Sequence, residues 1–560
     1  MNAKRLVNQL ARPVVRLVTN LARELLTKVN GYFNLSEREP FYGSLFSQKL
    51  VASVVIIDEE DLRMLHCFEM QGDKLVYDAE TQALVCCDEY AWALLKAVSE
   101  LVNCNNPPQL SDDERKLIAA MNHLDYAELE KCWADLKPFI ESGHIGAKTA
   151  EIKPEQLYPA APRIKSMCLN ISHDCNLRCQ YCFASCGDYA TGHREMLSYE
   201  TGKKAVDFLI KASGPRRNLD IDFFGGEPLM NWKVLKALTL YCEEEAPKHN
   251  KKIRLTVTTN ALLLNDERTK FINEHMKNCV LSIDGRPEIQ DKLRPAVGGH
   301  GSYSHVMPKI KKFVLDRGNK EYYVRGTFTH YNTDFSEDVK HLATLDLRQI
   351  SMEPVVAKPT DDFRLRDSDI PKVLEEYEKL AVHYQQTKDG EHPYRFFHFN
   401  VQLEGGACAF KRYKGCGVGT EYIAVTPNGS IYPCHQFVGE EQYIMGNVND
   451  TQPDELDKKV QAKFKDLFTL NSHDCLNCWS RYHCGGGCPA NNWHQNSDLH
   501  KNYKIGCIME QKRLECSLWL KAKERGGLQA QIQPDIDEVA ICGSGCGGGC
   551  DTESSAGPHC

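Results

Sequence analysis

The sequence predicts an α/β protein built on a parallel sheet or partial barrel, with a smaller module before it and a cysteine-rich region after it. Three observations support this class. Between residues 165 and 356, short apolar segments alternate with segments of helical spacing. Within residues 49–147, strand-like segments come first and helical segments follow. Between residues 400 and 520, cysteine becomes frequent and helical spacing becomes rare.

The first 48 residues begin with a basic amphipathic segment that carries Leu6, Leu10, Leu17 and Leu21 on one stripe. Basic residues interrupt the apolar core that a secretory signal needs, so a signal is not predicted. We expect a helix that docks on its own protein, and membrane association through residues 1–30 is the alternative. No run approaches the ~20 apolar residues that span a bilayer, and a cytoplasmic protein is expected.

Residues 49–147 predict a small winged-helix-like module. Its strand-like segments read VASVVII, LHCFEM and KLVYD, with a turn at Gly72-Asp73, and its helical segments read DEYAWALLKAVSEL and DYAELEKCWADLKPFIESGHI. The proline-rich stretch Lys148–Pro162 is typical of a linker.

Residues 163–370 predict the main sheet. The expected strands read SMCLNIS, LDIDFFGG, IRLTVTTNA, CVLSIDG, YYVRGTF and ISMEPVV, and helical segments lie between several of them. Active sites of such sheets lie at the carboxyl ends of the strands. The chemically active residues that follow these strands are Cys175–Cys182, Gly225–Glu227, Asn260, Asp284 and Arg325.

Residues 400–520 predict a loop-rich domain that metal would stabilise, with a hairpin at TPNGSIYPC. Residues 526–560 are rich in glycine and cysteine and are expected to be flexible. Four cysteines there stand outside the other patterns, namely Cys542, Cys546, Cys550 and Cys560.

Composition narrows the function classes. The 560 residues are 42% apolar and 26% charged, which is ordinary for globular proteins of several domains. The formal net charge of −8 argues against a nucleic-acid-binding surface, and no nucleic acid partner is predicted. In a reducing compartment the 25 cysteines are expected to be metal ligands or catalytic groups more often than disulfides.

Three cysteines stand in a loop after the first strand of the sheet, as Cys175-x3-Cys179-x2-Cys182. Three close thiolates can occupy one face of a 4Fe–4S cube and leave one iron without a protein ligand, as a catalytic site requires. Zinc would take a fourth ligand from Cys168, Cys186 or His173, and the spacing alone leaves that alternative open. Cys186 is assigned no ligand role.

This spacing, with Tyr181 before the third cysteine, resembles the radical SAM superfamily. The resemblance implies a partial (β/α)6 barrel in which Cys175, Cys179 and Cys182 are catalytic cluster ligands. It also implies that Gly225, Gly226 and Glu227 of the GGEP motif bind the methionine amine of S-adenosylmethionine. Its remaining cofactor-binding residues would be Asn260, Ser282, Asp284 and Arg325, the last of them meeting the carboxylate as a charge-assisted partner.

The later cysteines resemble the seven-cysteine SPASM pattern of radical SAM peptide and protein maturases. The resemblance implies two auxiliary clusters. One would be held by Cys475, Cys478, Cys484 and Cys507. The other would be held by Cys416, Cys434 and Cys488, with a fourth position taken by Cys408 or by a substrate thiolate. A zinc ribbon over Cys475–Cys488 is the alternative.

The front module resembles the recognition element of enzymes that modify ribosomally made peptides, which adds a leader peptide as a strand. An ordinary regulatory domain is its alternative. The front module and YPCHQFVG (Tyr432–Gly439) are similar to maturases of six-cysteine SCIFF peptides. This resemblance implies a thioether-forming enzyme with S-adenosylmethionine and three 4Fe–4S clusters. Its partners would be a cysteine-rich precursor peptide bound through its leader and a reductant such as flavodoxin or ferredoxin.

Other functions remain open from the sequence. A sulfatase maturase would form formylglycine, but that group carries Asp where this chain has His435. A thioether maturase acting on an enzyme subunit is a second alternative, and a cluster-containing peptide-binding or electron-transfer protein without turnover is a third. The tail after residue 526 is a metal-scavenging segment, a thiol relay or a fused substrate-like peptide.

Overall fold

A computed structural model describes residues 65–100, 109–147, 163–403 and 413–526. The chain divides into two compact units, residues 1–151 and residues 152–560. Several predictions concern parts of the chain outside the described residues: the amphipathic segment, the VASVVII strand, the linker, Cys408 and the tail.

The first unit is a three-stranded antiparallel sheet followed by helices, in the order that the sequence predicts. Its described elements are β1 (Leu65–Met70), β2 (Asp73–Asp78), β3 (Leu84–Cys87), α1 (Glu89–Glu100), α2 (Asp112–Met121) and α3 (Tyr126–Glu141). The sheet order is β1-β2-β3, so among the described strands β3 pairs on one side alone. The winged-helix assignment stays a prediction.

The helices of the first unit bury one apolar face each against the sheet. Leu94 and Leu95 of α1 and Leu129 of α3 are fully buried in this core. Ser111 starts α2 with a capping box, in which Glu114 bonds back to the Ser111 backbone. Such reciprocal capping satisfies N–H groups that the first helical turn leaves unpaired.

The second unit alternates strands and helices. Its strands are β4 (Ser166–Ser172), β5 (Asn218–Gly225), β6 (Lys252–Thr259), β7 (Asn278–Ser282), β8 (Tyr323–Phe328), β9 (Gln349–Pro354), β10 (Arg395–Phe396), β11 (Tyr422–Val425), β12 (Ser430–Tyr432) and β13 (Gly446–Asn447). Its helices are α4 (Tyr199–Ala212), α5 (Trp232–Lys248), α6 (Asp266–His275), α7 (Pro287–Leu293), α8 (Tyr303–Arg317), α9 (Phe335–Thr344), α10 (Ile370–Thr387), α11 (Lys458–Lys465), α12 (His473–Leu476), α13 (Arg481–Cys484), α14 (Pro489–Asn496) and α15 (Lys504–Glu524).

These strands form one ten-stranded sheet in the order β10-β9-β8-β7-β6-β5-β4-β11-β12-β13. The pairs from β10 to β4 are parallel, and β11 also runs parallel to β4. The predicted hairpin is present as β11 and β12. The α/β class is therefore confirmed, whereas closure into a partial barrel stays a prediction. The cysteine-rich region continues the main sheet instead of forming a separate layer.

A buried acidic residue joins the two parts of this sheet. The Glu421 carbonyl accepts hydrogen bonds from the backbone N–H of Lys165 (2.7 Å) and of Ser166 (3.2 Å). Its side chain lies 2.8 Å from the ammonium of Lys165 and also pairs with Lys414. These two lysines lower the pKa of Glu421 to about 2 despite its burial, so the junction is ionised at neutral pH.

One face of the sheet is polar, and we call it the polar face. It consists of Asp220 and Asp222 on β5, Arg254, Thr256 and Thr258 on β6, and Arg325 on β8. On β5 these half-buried positions alternate with the buried Leu219, Ile221 and Phe223. Arg254 pairs with Asp220 through two hydrogen bonds of 2.7 and 2.8 Å.

The expectation that helical signals fade between residues 400 and 520 is wrong for the end of this range. The helix α15 runs over Lys504–Glu524 and buries Leu514, Leu518 and Trp519 among others. A helix buried on most sides lacks a one-sided apolar stripe, so its periodicity is weak. Within the described ranges, we find no helix that is long and apolar enough to cross a membrane.

Candidate functional site

The loop that carries the first three cysteines follows β4 and is held at both ends by backbone hydrogen bonds. The N–H of His173 donates to the carbonyl of Glu195 at 2.7 Å. The N–H of Arg178 donates to the carbonyl of Pro295, also at 2.7 Å. The guanidinium of Arg178 donates to the Cys175 carbonyl at 2.6 Å. These hydrogen bonds hold the backbone of the loop in place.

The three thiols of this loop are largely buried and lie close to one another. Burial raises the pKa of Cys175 to about 12 and that of Cys179 to about 11. The pKa of Cys182 is also raised, first by its hydrogen bond with Cys186 and then by burial. Thiolates at these positions therefore need positive charge beside them, which cluster iron supplies when bound.

Hydrogen-bond donors near these sulfur atoms support an iron–sulfur cluster. The N–H of Leu177 lies 3.4 Å from the Cys175 sulfur, and the N–H of Cys186 lies 3.3 Å from the Cys182 sulfur. Such donors stabilise cluster thiolates and tune the reduction potential. Among the described residues no three His, Cys, Asp or Glu side chains converge closely enough for a single metal ion.

The GGEP motif packs directly against this loop. The N–H of Gly226 donates to the Ser172 carbonyl at 2.7 Å, and that of Glu227 donates to the Asp174 carbonyl at 2.8 Å. A Cβ on Gly226 would lie 2.7 Å from the carbonyl carbon of Asp174 and 2.9 Å from Cα of Gly187. Glycine is required there because backbone, which cannot rotate away, fills the space.

We therefore expect Gly226→Ala to displace the cysteine loop. The steric conflict should lower the free energy of unfolding by about 1–3 kcal/mol or more. It should also lower the iron retained per chain after anaerobic reconstitution, measured by iron analysis beside denaturant unfolding. Gly390→Ala is the control, since its Cβ would meet the Thr387 carbonyl at an ordinary 3.4 Å. Equal iron content in the two variants would contradict this assignment.

Glu227 ties the GGEP motif to the end of β6. Its fully buried carboxylate accepts hydrogen bonds from the N–H of Leu229 (3.0 Å), the hydroxyl of Thr259 (2.8 Å) and the N–H of Asn260 (2.8 Å). The side-chain amide of Asn260 in turn donates to Asn176 at 2.7 Å and lies 3.7 Å from the Cys175 sulfur. The structure thus brings Glu227 and Asn260 beside the cysteine loop.

Asp284 lies against the same loop from the β7 side. Its fully buried carboxylate accepts a hydrogen bond from the Tyr181 hydroxyl, which lies 2.7 Å from both oxygens, and one from the Thr327 N–H at 3.1 Å. The guanidinium of Arg294 lies 3.4 Å from this carboxylate and donates to the Tyr181 hydroxyl at 3.0 Å. Asp284 and Arg294 therefore form a buried ion pair around the tyrosine of the cysteine motif.

Ser282 and Arg325 occupy adjacent positions on β7 and β8, where they are paired in register. The guanidinium of Arg325 lies 3.7 Å from the Glu353 carboxylate. Glu353 lies 3.2 Å from His398, whose other ring nitrogen accepts from Arg513 at 2.8 Å. These charges lower the pKa of Glu353 despite its burial. Arg325 is thus held at the strand end by a chain of charges that reaches α15.

The structure brings together four of the later cysteines. Burial, the charge of Glu510 and the nearby thiols of Cys507, Cys475 and Cys478 raise the pKa of Cys484 well above its usual value. The Cys484 sulfur accepts from the Gly487 N–H at 3.1 Å. Two side-chain amides also donate to these sulfur atoms. The amide of Asn502 lies 3.2 Å from the Cys475 sulfur, and that of Gln511 lies 3.4 Å from the Cys478 sulfur. These four cysteines are the ligands that the resemblance to the SPASM pattern implies for one auxiliary cluster.

Fewer contacts among the described residues connect the second predicted ligand set, which consists of Cys416, Cys434 and Cys488. Cys416 lies near enough to Cys434 that its charge contributes to the raised pKa of that buried thiol. Cys488 lies at the start of α14. A solvent-open pocket lies between Cys416 and Cys475 and is lined by the Gly485, Gly486 and Gly487 loop. The donor set of thiols fits iron–sulfur clusters.

The residue after Cys434 faces the sheet. The ring of His435 lies 5.5 Å from that of Phe183 in the first cysteine loop and 5.1 Å from that of Phe224 on β5. Its Nδ1 lies 2.9 Å from the Tyr422 hydroxyl. The second cysteine region therefore adjoins the first loop through aromatic contacts.

Sequence reasoning missed two charged residues of this region. Arg294 has no motif around it, and only the folded chain brings it to Tyr181 and Asp284. Asp222 had a signal, because an acidic residue inside the apolar strand LDIDFF is unusual unless it faces a cavity or a partner. Neither appeared among the predicted site residues.

The comparisons with known proteins agree with this geometry. Residues 169–315 match the radical SAM superfamily, and residues 416–479 match the SPASM iron–sulfur cluster-binding domain. The chain is 25% identical over 378 residues to the radical SAM cyclopropyl synthase TigE of Paramaledivibacter caminithermalis, which covers 64% of this chain and 72% of that protein. It is 26% identical over 341 residues to a cysteine-type anaerobic sulfatase-maturating enzyme of Clostridium novyi, which covers 57% of this chain and 86% of that protein.

The fold also has a solved counterpart. The structure of anSMEcpe with bound AdoMet superposes with a TM-score of 0.54 at 21% identity and covers 64% of this chain and 96% of that chain. Residues 169–315 and 416–479 therefore match a radical SAM domain and a SPASM domain, consistent with a radical SAM/SPASM peptide maturase, and these two domains imply S-adenosylmethionine and iron–sulfur clusters as cofactors.

Proposed function

We propose that this protein forms intramolecular thioether bonds between cysteine sulfur and a carbon atom of a ribosomally made, cysteine-rich peptide. The observation that carries the proposal is the junction between the two cysteine regions. β11 pairs with β4, so Cys434 and His435 lie beside the polar face and the first cysteine loop. A substrate sulfur near Cys434 and a substrate carbon near the first loop would therefore be close to each other.

When bound and reduced, the cluster at Cys175, Cys179 and Cys182 would supply an electron that cleaves S-adenosylmethionine to a 5′-deoxyadenosyl radical. The chain positions that chemistry. Glu227 and Asn260 hold the GGEP motif against the loop, and Arg325 at its strand end is suited to the methionine carboxylate. Leu177, Tyr181 and Ala184 of this loop are buried, which limits the access of water to the radical.

The remaining predictions belong to this proposal. Two auxiliary 4Fe–4S clusters would be held by the sets around Cys484 and Cys434, which gives three clusters with the first. The precursor peptide would add its leader as a further strand to the sheet of the first unit. A flavodoxin or ferredoxin would supply the electron. A SCIFF peptide is the favoured substrate type.

Formylglycine formation is the second candidate, because a relative of this chain is a sulfatase-maturating enzyme. The residue after Cys434 argues against it. His435 presents an imidazole where the sulfatase maturases carry the carboxylate of an aspartate.

We expect the mass of the peptide to decide between these functions. The reconstituted protein is incubated without oxygen with S-adenosylmethionine, a reductant and the cysteine-rich peptide encoded beside its gene. Thioether formation removes two hydrogens per bridge and makes that cysteine resistant to alkylation. Exchange of sulfur for oxygen with loss of two hydrogens would establish formylglycine instead, and an unchanged peptide would contradict both for that substrate. The same peptide with serine in place of each cysteine is the control.

A further inference from the structure

We propose that the carboxylate of Asp222 accepts the proton that the substrate cysteine thiol loses when the thioether forms. This inference rests on the proposed function and assigns a catalytic residue to it. No motif of the sequence marks Asp222.

Thioether formation requires a proton acceptor. The C–H bond of the substrate breaks homolytically, and its hydrogen atom goes to the 5′-deoxyadenosyl radical. The S–H bond loses its proton, and the sulfur forms the new bond to the carbon radical. The surplus electron passes to an oxidised iron–sulfur cluster of the SPASM region. The S–H proton thus needs a base near both substrate atoms.

Asp222 lies on the polar face next to the junction of the two cysteine regions. It is paired in register with Cys168 of β4 on one side and with Thr256 of β6 on the other. Its carboxylate accepts a hydrogen bond from the Thr258 hydroxyl, which lies 3.2 Å from both oxygens. Because its partner is a neutral hydroxyl, this carboxylate keeps its capacity to take a proton.

The environment of Asp222 extends towards Cys434. Burial raises the pKa of Tyr422, and charge on the nearby Cys168, Cys434 or Asp222 raises it further. Tyr422 in turn contacts His435, whose ring packs on Phe224, two residues after Asp222 on the same face. A substrate thiol placed between Cys434 and the first loop would therefore meet this side of the sheet.

The other carboxylates of this region are engaged. Asp220 forms a two-bond pair with Arg254, and Asp284 pairs with Arg294. Glu227 accepts three hydrogen bonds that hold the GGEP motif. Glu353 lies between His398 and Arg325. Protonating any of these would break an ion pair or a structural bond, whereas protonating Asp222 breaks neither.

The acidity of Asp222 suits this role. Burial raises its pKa to about 7, an effect that the Thr258 hydroxyl and the Arg325 charge partly offset. A base whose pKa is near the working pH is about half ionised, so it can accept a proton and also retain it. The polar or titratable groups that face it include Thr258 on β6, Arg325 on β8, Cys168 on β4 and Tyr422 on β11. Cys279 of β7 is paired in register with Val257 and lies on the opposite, buried face.

The first test compares Asp222→Asn with Asp220→Asn in the reconstituted enzyme, with the peptide encoded beside the gene. The two residues lie two positions apart on one face of β5, and both changes remove one carboxylate. We expect Asp222→Asn to lower the number of bridges formed per S-adenosylmethionine cleaved by about 100-fold or more. Asp220→Asn should leave this ratio unchanged. Deuterium from labelled peptide should still appear in 5′-deoxyadenosine with both variants, because hydrogen abstraction comes before the proton is needed.

The second test measures Asp222 without turnover. Infrared difference spectra of wild type minus Asp222→Asn should show one carboxyl group that titrates near pH 7, and Asp220→Asn should keep it. In the wild type, bridges per S-adenosylmethionine should rise with pH through the same range, since the acceptor is ionised above its raised pKa. This rise should be absent in Asp222→Asn.

The outcomes separate the two proposals. If wild type forms formylglycine or no bridge, the proposed function fails, and the role of Asp222 in thioether formation fails with it. If wild type forms bridges and Asp222→Asn matches it per S-adenosylmethionine cleaved, the proposed function stands and the role of Asp222 is refuted. An Asp222 carboxyl that titrates in the range of ordinary aspartates would likewise overturn the inference.

Discussion

The Cys179→Ala protein should cleave S-adenosylmethionine no faster than background. Cys179 stands between Cys175 and Cys182 in the loop, and burial raises its pKa to about 11. With one of three ligands gone, two thiolates remain to hold a cluster that already has an iron without a protein ligand. Anaerobic iron analysis and the amount of 5′-deoxyadenosine formed with dithionite measure the loss.

Two neighbouring cysteines provide matched controls for that experiment. Cys168 is fully buried on β4, and Cys186 donates its N–H to the Cys182 sulfur. Cys168→Ala and Cys186→Ala should keep the iron of the first cluster and most S-adenosylmethionine cleavage, because neither belongs to the Cx3CxxC set. Loss of that iron in Cys186→Ala would make Cys186 a ligand and would contradict the assignment.

The second large effect is expected at the buried ion pair beside the loop. Asp284→Ala leaves the Arg294 guanidinium buried, with 9% of its residue surface exposed, and without its carboxylate partner. An unpaired buried charge of this kind lowers the free energy of unfolding by about 3–5 kcal/mol. Denaturant unfolding of the cluster-loaded protein under anaerobic conditions measures the change.

Two further variants identify the cause of that loss. Tyr181→Phe removes the hydroxyl and keeps both charges, so it should cost only about 1–3 kcal/mol. The double variant Asp284→Asn with Arg294→Met removes both charges and should be more stable than Asp284→Ala alone. If the double variant lost the sum of two independent effects, the ion pair would not be the source of the instability.

Much of the fold could be predicted from local patterns. The segments SMCLNIS and SYETGKKAVDFLIKAS predict a strand and a helix by their periodicity, and β4 and α4 lie within a residue or two of these bounds. The helix α15 was missed because its buried residues lie on several sides, which removes the one-sided stripe. Helical periodicity arises where one side of a helix faces the core and the other side faces water, and α15 is buried on several sides.

The candidate site was predictable where its chemistry is local. Cx3CxxC and GGEP are short motifs, so their spacing alone suggests cluster and cofactor binding. Their assigned roles stay predictions, although the structure packs Gly226 and Glu227 on the cysteine loop. Arg294 could not be predicted, since 113 residues separate it from Tyr181 in the chain and no pattern links them.

The sequence by itself determined the class of this protein, through cysteine spacing that only a few kinds of site use. It also determined the α/β pattern, because alternating apolar periods specify strands and helices locally. The tertiary structure decided how the two cysteine regions meet. Pairing of β11 with β4 and of β4 with β5 places Ala424 and Asp222 on either side of Cys168, and only these long-range contacts bring the second cysteine region towards Asp222. Contacts between distant segments depend on packing of the whole sheet, which no local pattern records.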